Sequence, residues 1–296
     1  MSQVAKEDVV GIIGAGAWGS AIAQLVARGG AKVILWSFDG KHEQFGLKPM
    51  KNIRQTQNMR DLYSKSCNIW IAVTPAAFFR DTMNKAKEFY NDQPIIICTK
   101  GAEPDTGKFM TDVLHETIAP KKKNVGVLSG PQFAAEVAHG VPTGSTLAGG
   151  RKIQEVGGRI FKELFLSPTK DVIGTEICGV GKNAVSVISG YIKVKGRGEN
   201  ESALSMTLAW NEVVRLGLKL GAKEKTFLDF CGLGDLLLTA TSTTSRNFSA
   251  GVAIANGEKP IGTVEGISAL SALVKKAGEA RVDVPFLSNM YKKLSK

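Results

Sequence analysis

Lys182 interrupts a stretch of small and apolar residues, Gly179-Val180-Gly181-Lys182-Asn183-Ala184, on a segment with helical periodicity. Burial there disfavours the charged ammonium and draws its pKa down toward the range where an amine gives and takes a proton near neutrality. The plainer alternative is a stem lying on apolar surface with its head in solvent. Asp235 sits in Gly232-Leu233-Gly234-Asp235-Leu236, ahead of Leu237 and Leu238. A carboxylate among leucines needs a partner to stay charged; a catalytic lysine would serve, and helix capping is the other reading. Ser245-Arg246-Asn247 brings a hydroxyl, a guanidinium fork and an amide together, a grip for phosphate or simply another N-terminal cap.

The elements that must hold these groups begin at Val9-Val10-Gly11-Ile12-Ile13, a β-branched run that stops at Gly14-Ala15-Gly16-Ala17-Trp18-Gly19. Beyond it the apolar residues Trp18, Ala21, Ile22, Leu25 and Val26 recur at helical spacing up to Arg28-Gly29-Gly30, and a second strand follows at Lys32–Trp36. Strand, glycine turn, helix and strand in this order form a dinucleotide fingerprint. Gly14 makes the tight turn, Gly16 lets the pyrophosphate approach, Gly19 packs the helix on the strand, and the helix N-terminus offers N–H groups to the phosphates. A glycine motif alone is weak; its place between strand and helix is what strengthens it.

Further buried strands are expected at 69–73, 94–98 and 125–128, so the first half reads as a parallel, doubly wound sheet. Ligands collect at the carboxyl ends of such strands, which singles out Thr74-Pro75, Thr99-Lys100-Gly101 and Ser129-Gly130-Pro131-Gln132-Phe133-Ala134. Lys100 could meet a phosphate or a carbonyl oxygen there, or be an exposed loop lysine. Ser37 occupies the position after the second strand that ordinarily carries the acid selecting NAD, Asp39 lies two residues on, and Lys41 and His42 could face a 2′-phosphate. NAD and NADP both remain open.

After about Ile173 the pattern turns helical, with amphipathic stretches near 176–193, 201–220, 227–240, 247–256 and 264–279. The expected fold is thus an α/β Rossmann-like domain with a doubly wound parallel sheet over residues 1–173, followed by an all-α substrate-binding domain over 174–296, with substrate held between them. Composition agrees: 296 residues, 43% hydrophobic and 22% charged, are enough for a large core. No apolar run reaches the length of a membrane helix, and the start, Met1 to Asp8, lacks the pattern of a secretory signal. Cys67, Cys98, Cys178 and Cys231 are far apart and show no metal-ligand or disulfide spacing, which suits the reducing cytoplasm. The net charge of +11 attracts anions, but its short lysine runs carry no interleaved aromatics, so nucleic acid is not the expected partner. A homodimer is compatible with the sequence, and no residue specifies it.

Taken in order, these segments resemble the NAD(P)-dependent glycerol-3-phosphate dehydrogenases of the bacterial type. The resemblance rests on Gly-Ala-Gly-Ala-Trp-Gly at 14–19, Cys-Thr-Lys-Gly at 98–101, Leu-Ser-Gly-Pro at 128–131 and Asp171-Val172-Ile173-Gly174. It continues through Lys182-Asn183, Gly-Leu-Gly-Asp at 232–235, Ser-Arg-Asn at 245–247 and Val264-Glu265-Gly266. It implies reversible reduction of dihydroxyacetone phosphate to sn-glycerol 3-phosphate, the backbone of phospholipids, with no metal. On matching positions it implies Lys182 as general acid–base and Lys100 as the lysine touching substrate and cofactor. Asp235 becomes a substrate-site acid that orients Lys182 or a substrate hydroxyl.

The same resemblance makes Ser245, Arg246 and Asn247 the substrate-binding triplet, with Arg246 also near the cofactor. It assigns Glu265 to the dinucleotide site and Gly130 and Ala134 to the lining. With Gly14, Gly16, Ala17, Trp18, Gly19 and Ser37 these complete the expected cofactor contacts. The chain departs from the family pattern at Gln132, where serine or threonine is usual, at Leu208, where many members have arginine, at Ala17, and at Val180-Gly181. Three rival readings are a related β-hydroxyacid dehydrogenase, which would not need Ser245-Arg246-Asn247, a sensor that binds NAD(P)H without turnover, and a basic nucleic-acid-binding protein.

Overall fold

A computed structural model of the chain describes residues 8–63, 67–260 and 265–295. The start read at Met1–Glu7, and Val264 of the Val264-Glu265-Gly266 segment, lie outside the described residues. The chain forms two compact units. One comprises residues up to Thr99 with Thr111–Leu128 and Gln132–Lys170; the other comprises Lys100–Met110, Ser129–Pro131 and the chain from Asp171 onward.

The first unit carries strands β1 (Val9–Ile13), β2 (Lys32–Trp36), β3 (Ile53–Thr56), β4 (Ile69–Ala72), β5 (Ile95–Ile97), β6 (Val125–Ser129, whose last residue belongs to the second unit), β7 (Thr143–Gly149) and β8 (Leu164–Thr169). They form one sheet in the order β3-β2-β1-β4-β5-β6-β7-β8. The pairs from β3 through β6, and the pair β7–β8, are parallel. Its helices are α1 (Ala17–Arg28), α2 (Ala76–Ala86), α3 (Met110–Thr117), α4 (Ala134–Ala138) and α5 (Arg151–Ile160). Ile12, Ile22, Val33, Ile71, Ile96 and Leu128 are all buried in one apolar cluster, as a sheet covered by helices requires. The strand order reverses at β1, so the crevice beyond the ends of β1 and β4 is where a dinucleotide binds in such folds.

The second unit is helical: α6 (Val172–Lys195), α7 (Glu199–Lys219), α8 (Glu224–Phe227), α9 (Asp235–Ala240), α10 (Arg246–Asn256), α11 (Glu265–Ala280) and α12 (Pro285–Leu294). A Rossmann-like sheet followed by a helical region is the architecture the patterns predict. Helix α6 is buried without interruption from Gly174 to Gly190, packed by α7, α9, α10 and α11. A helix apolar on all sides must be central, and any lysine on it is desolvated. Asp171 caps it, accepting the Gly174 N–H at 3.0 Å, and also accepts Lys223 N–H at 2.8 Å and the Thr226 hydroxyl at 2.6 Å.

Several elements escape the patterns. β3, Ile-Arg-Gln-Thr, is half exposed and has no apolar run; β7 is built largely of small residues, and β8 carries Pro168 and buries only Leu164. The helix expected over 227–240 is broken into α8, a π-turn at Phe230–Gly234 and α9. Asp229 caps the new start by accepting the Phe230 N–H, and Gly232 lies so close to Phe227 that a Cβ there would be 2.2 Å from its carbonyl oxygen. The break makes Asp235 the first residue of a helix.

Backbones of α6 and α10 touch at two glycines. A Cβ on Gly190 would stand 2.0 Å from the Phe248 oxygen, and one on Gly251 would stand 2.1 Å from the Val187 oxygen. We predict that Gly251→Ala destabilises the protein by about 1–3 kcal/mol through overpacking. Urea unfolding measures this, and an unchanged midpoint would contradict the backbone contact.

Candidate active site

The dinucleotide turn forms as its residues require. Gly14 follows β1 with φ +115°, and its N–H donates to the Trp36 carbonyl at 3.0 Å. A Cβ on Gly19 would lie 1.9 Å from the Gly14 oxygen, so only glycine lets α1 start this close to the strand. Around Gly16 a Cβ would meet nothing within 4 Å, and Gly16 and Ala17 are exposed, leaving the opening N–H groups of α1 accessible to a phosphate. The buried indole Nε1 of Trp18 has no hydrogen-bond partner among the described residues. Beyond β1, β2 and β3 lies a cavity of about 220 Å³ lined by Ala15, Ser37, Gly40, His42, Thr56 and Gln57, among others. None of its lining residues is acidic; Asp39 is not among them and accepts the Lys41 N–H at 3.1 Å. These features of the first unit fit a nicotinamide dinucleotide. Ala134, at the first turn of α4, and Gln132 belong to the same unit. The Gln132 Nε2 donates to Ser145 at 2.5 Å, and its buried Oε1 lacks a partner among the described residues.

The second unit gathers the ionisable groups. Lys100, two residues past Cys98 at the end of β5, donates from Nζ to the Gly130 carbonyl at 2.8 Å and to Asp235 Oδ2 at 2.5 Å. Lys182 Nζ lies 3.4 Å from the other carboxylate oxygen, Oδ1, in an ion pair without hydrogen-bond geometry. Asp235 is 1% exposed and Lys182 8%, so the solvent-reaching reading of Lys182 does not hold. Burial lowers the Lys182 pKa from 10.5 to about 8 against the pull of Asp235, with Lys100 pushing it the same way as burial and Glu265 opposing. Two ammonium groups meet on the one carboxylate of Asp235, with Glu265 acting on Lys182 without a direct ion pair. Asp235 therefore binds the more exposed lysine by a short hydrogen bond and holds Lys182 at a longer 3.4 Å.

The triplet on α10 divides its work. Ser245 caps the helix, accepting the Phe248 N–H at 3.4 Å, and its hydroxyl lies 3.0 Å from Ser186 Oγ. Asn247 donates to Asn183 Oδ1 at 2.9 Å and accepts the Gly266 N–H at 2.9 Å, so both ends of its amide are engaged. Asn183 in turn reaches Glu265, the first residue of α11, at 3.5 Å. Arg246 alone is exposed, and its guanidinium makes no hydrogen bond or ion pair among the described residues.

Sequence reasoning gave no role to Asn183 or Ser186, which tie α10 and α11 to the helix bearing Lys182. Ser186 stands four residues after Lys182, on the same helix face, and donates to the Thr239 carbonyl at 2.7 Å; that spacing was the available signal. Of the departures, Gly181 is filled from α7, since a Cβ there would be 2.5 Å from Val213, and Leu208 stands exposed on α7.

Two family models match the chain: the NAD-dependent glycerol-3-phosphate dehydrogenase N-terminus over residues 9–154 and the C-terminus of the same family over residues 171–296. Glycerol-3-phosphate dehydrogenase [NAD(P)+] of Maricaulis maris is 35% identical, covering 93% of this chain and 89% of that protein. The protein of the same name from Carboxydothermus hydrogenoformans is 33% identical over 96% of this chain and 91% of its own length. Among solved structures, glycerol-3-phosphate dehydrogenase from Coxiella burnetii superposes with a TM-score of 0.88 at 25% identity, covering 97% of this chain and 94% of that one. With a glycine turn shaped for a dinucleotide, two lysines on one buried carboxylate, and matches spanning both halves, the chain belongs to the NAD-dependent glycerol-3-phosphate dehydrogenase family.

Proposed function

We propose that, in the family's reversible reduction of dihydroxyacetone phosphate to sn-glycerol 3-phosphate with NAD(P)H, Lys182 gives and takes the proton at the substrate's C2 oxygen. The observation that carries this reading is the buried Lys182 ammonium, its pKa drawn down to about 8, standing 3.4 Å from a carboxylate that Lys100 already holds. A bound dinucleotide would supply or accept the hydride at C2, and the turn at Gly14, Gly16, Ala17, Trp18 and Gly19 would hold its pyrophosphate, with Ser37 toward the ribose.

In the reducing direction the Lys182 Nζ–H donates to the carbonyl oxygen as it gains negative charge, leaving a neutral amine that takes a proton back from solvent. In the oxidising direction the neutral amine removes the hydroxyl proton. Lys100 stabilises the same oxygen electrostatically while Asp235 fixes both cations. Arg246, with its exposed guanidinium, grips the substrate phosphate; Ser245 and Asn247 support it by setting the start of α10 rather than by side-chain contact. Gly130 and Gln132 line the substrate, and Ala134 and Glu265 the dinucleotide. The product would enter glycerophospholipid synthesis. The four unbridged cysteines favour a reducing cytoplasm, and no helix among the described residues is long and apolar enough to cross a membrane.

Adding dihydroxyacetone phosphate to protein and reduced cofactor should consume nicotinamide absorbance, and Lys182→Ala should lower kcat by about 10²–10⁴-fold. Because reduction needs the protonated amine and oxidation the neutral one, the reduction rate should fall, and the oxidation rate rise, as pH passes through about 8. Cofactor binding without turnover by the unaltered protein would contradict the reading. The cavity beyond β2 has no acidic lining, so Ser37→Asp should shift the ratio of NADPH to NADH dissociation constants toward NADH by about tenfold or more. Titration calorimetry reads that ratio, and an unchanged value would remove Ser37 from the ribose site.

A further inference from the structure

Ser129, the last residue of β6, is 2% exposed, and its hydroxyl has no hydrogen-bond partner among the described residues. A sequestered hydroxyl without a partner costs stability, and such groups in native structures call for an explanation. Its position offers one. A Cβ placed on Gly179 of α6 would stand 3.7 Å from Ser129 Oγ and 3.7 Å from both Cβ and Cγ of Lys100. Helical side chains lean toward the helix N-terminus, which brings Lys182 over that same turn of α6. Directly after Ser129, the Gly130 carbonyl accepts from Lys100. The unused hydroxyl thus stands beside the Lys100 stem, against the turn of α6 that leads to Lys182, and lies within the same unit as Asp235.

The acceptors in this cage face the lysines: the Gly130 oxygen and Asp235 Oδ2 both serve Lys100, and Asp235 Oδ1 stands 3.4 Å from Lys182. Two ammonium groups already offer donors to the reacting C2 oxygen. The remaining polar group on that part of the substrate is the free primary hydroxyl on the neighbouring carbon, which both donates and accepts. A serine hydroxyl matches it in both roles. We infer that Ser129 hydrogen-bonds this primary hydroxyl and selects dihydroxyacetone phosphate over ketone phosphates that lack it. The inference rests on the substrate reading above. A site built around a hydroxyl rejects the analogue without it because its own polar group is then left unpaired.

The test compares dihydroxyacetone phosphate with hydroxyacetone phosphate, which has a methyl group in place of the hydroxymethyl, in the unaltered protein and in Ser129→Ala. For the variant, kcat/KM should fall about 10–100-fold on the first ketone and hardly at all on the second, closing the gap between them. Its melting temperature should stay level or rise, because an unpaired buried hydroxyl has been removed. Equal losses on both ketones would place the hydroxyl on the C2 oxygen or give it a purely structural role, and either overturns the inference; so does no loss at all. Failure of the unaltered protein to reduce dihydroxyacetone phosphate would instead overturn the substrate reading beneath it, and it is recognisable because the unaltered protein is then inactive.

Discussion

A carboxylate 1% exposed stays ionised only beside cations, and Asp235 has two, Lys100 at 2.5 Å and Lys182 at 3.4 Å. The arrangement is not symmetric. Lys100 is the more exposed partner and makes the hydrogen bond, whereas Lys182 is held in a buried place by charge without one. Breaking a buried pair of this kind generally costs ~3–5 kcal/mol, so the carboxylate serves folding as well as holding the two lysines in place. Moving the Lys182 pKa from 10.5 to about 8 amounts to roughly 3 kcal/mol held against the protonated amine. Since the unfolded chain keeps that proton up to its higher pKa, the Lys182 contribution to stability grows as pH rises from about 8 toward 10.5.

What sustains this unfavourable charge is the helix beneath it. α6 is buried from Gly174 to Gly190, capped by Asp171, and touched by α10 at backbone distance through Gly190 and Gly251. The close approach lets Asn247 bridge Asn183 and the Gly266 N–H, so the residue after Lys182 is tied to the start of two further helices. Charge is placed by packing, and the packing is purchased by glycines with no role in the reaction.

Much of this could be read from residue patterns, for physical reasons that also explain the gaps. The turn at Gly14–Gly19 and strands β1, β2, β4, β5 and β6 show because buried parallel strands are continuous apolar runs. β3, with Arg54 and Gln55 on an exposed edge, and β7, with Thr143, Ser145 and Thr146, have no such run and stay invisible. The burial of Lys182 was legible in the small residues around it. Its carboxylate's hydrogen bond to Lys100, 135 residues away, was not, since long-range partners leave no local periodicity. Likewise Ser245 and Asn247 look like phosphate ligands by type, but in the folded chain capping and a bridge to Asn183 already engage them. The identity of the fold and family was carried by ordered segments; the division of labour within the site required geometry.

The most direct measurement of the central claim is the titration of the Lys182 ammonium itself, by NMR of protein with ¹³C-labelled lysine, the signal assigned by its loss in Lys182→Ala. A midpoint near pH 8, well below the other lysines, is the predicted result. A midpoint near the ordinary 10.5 would show the amine fully hydrated and contradict the account.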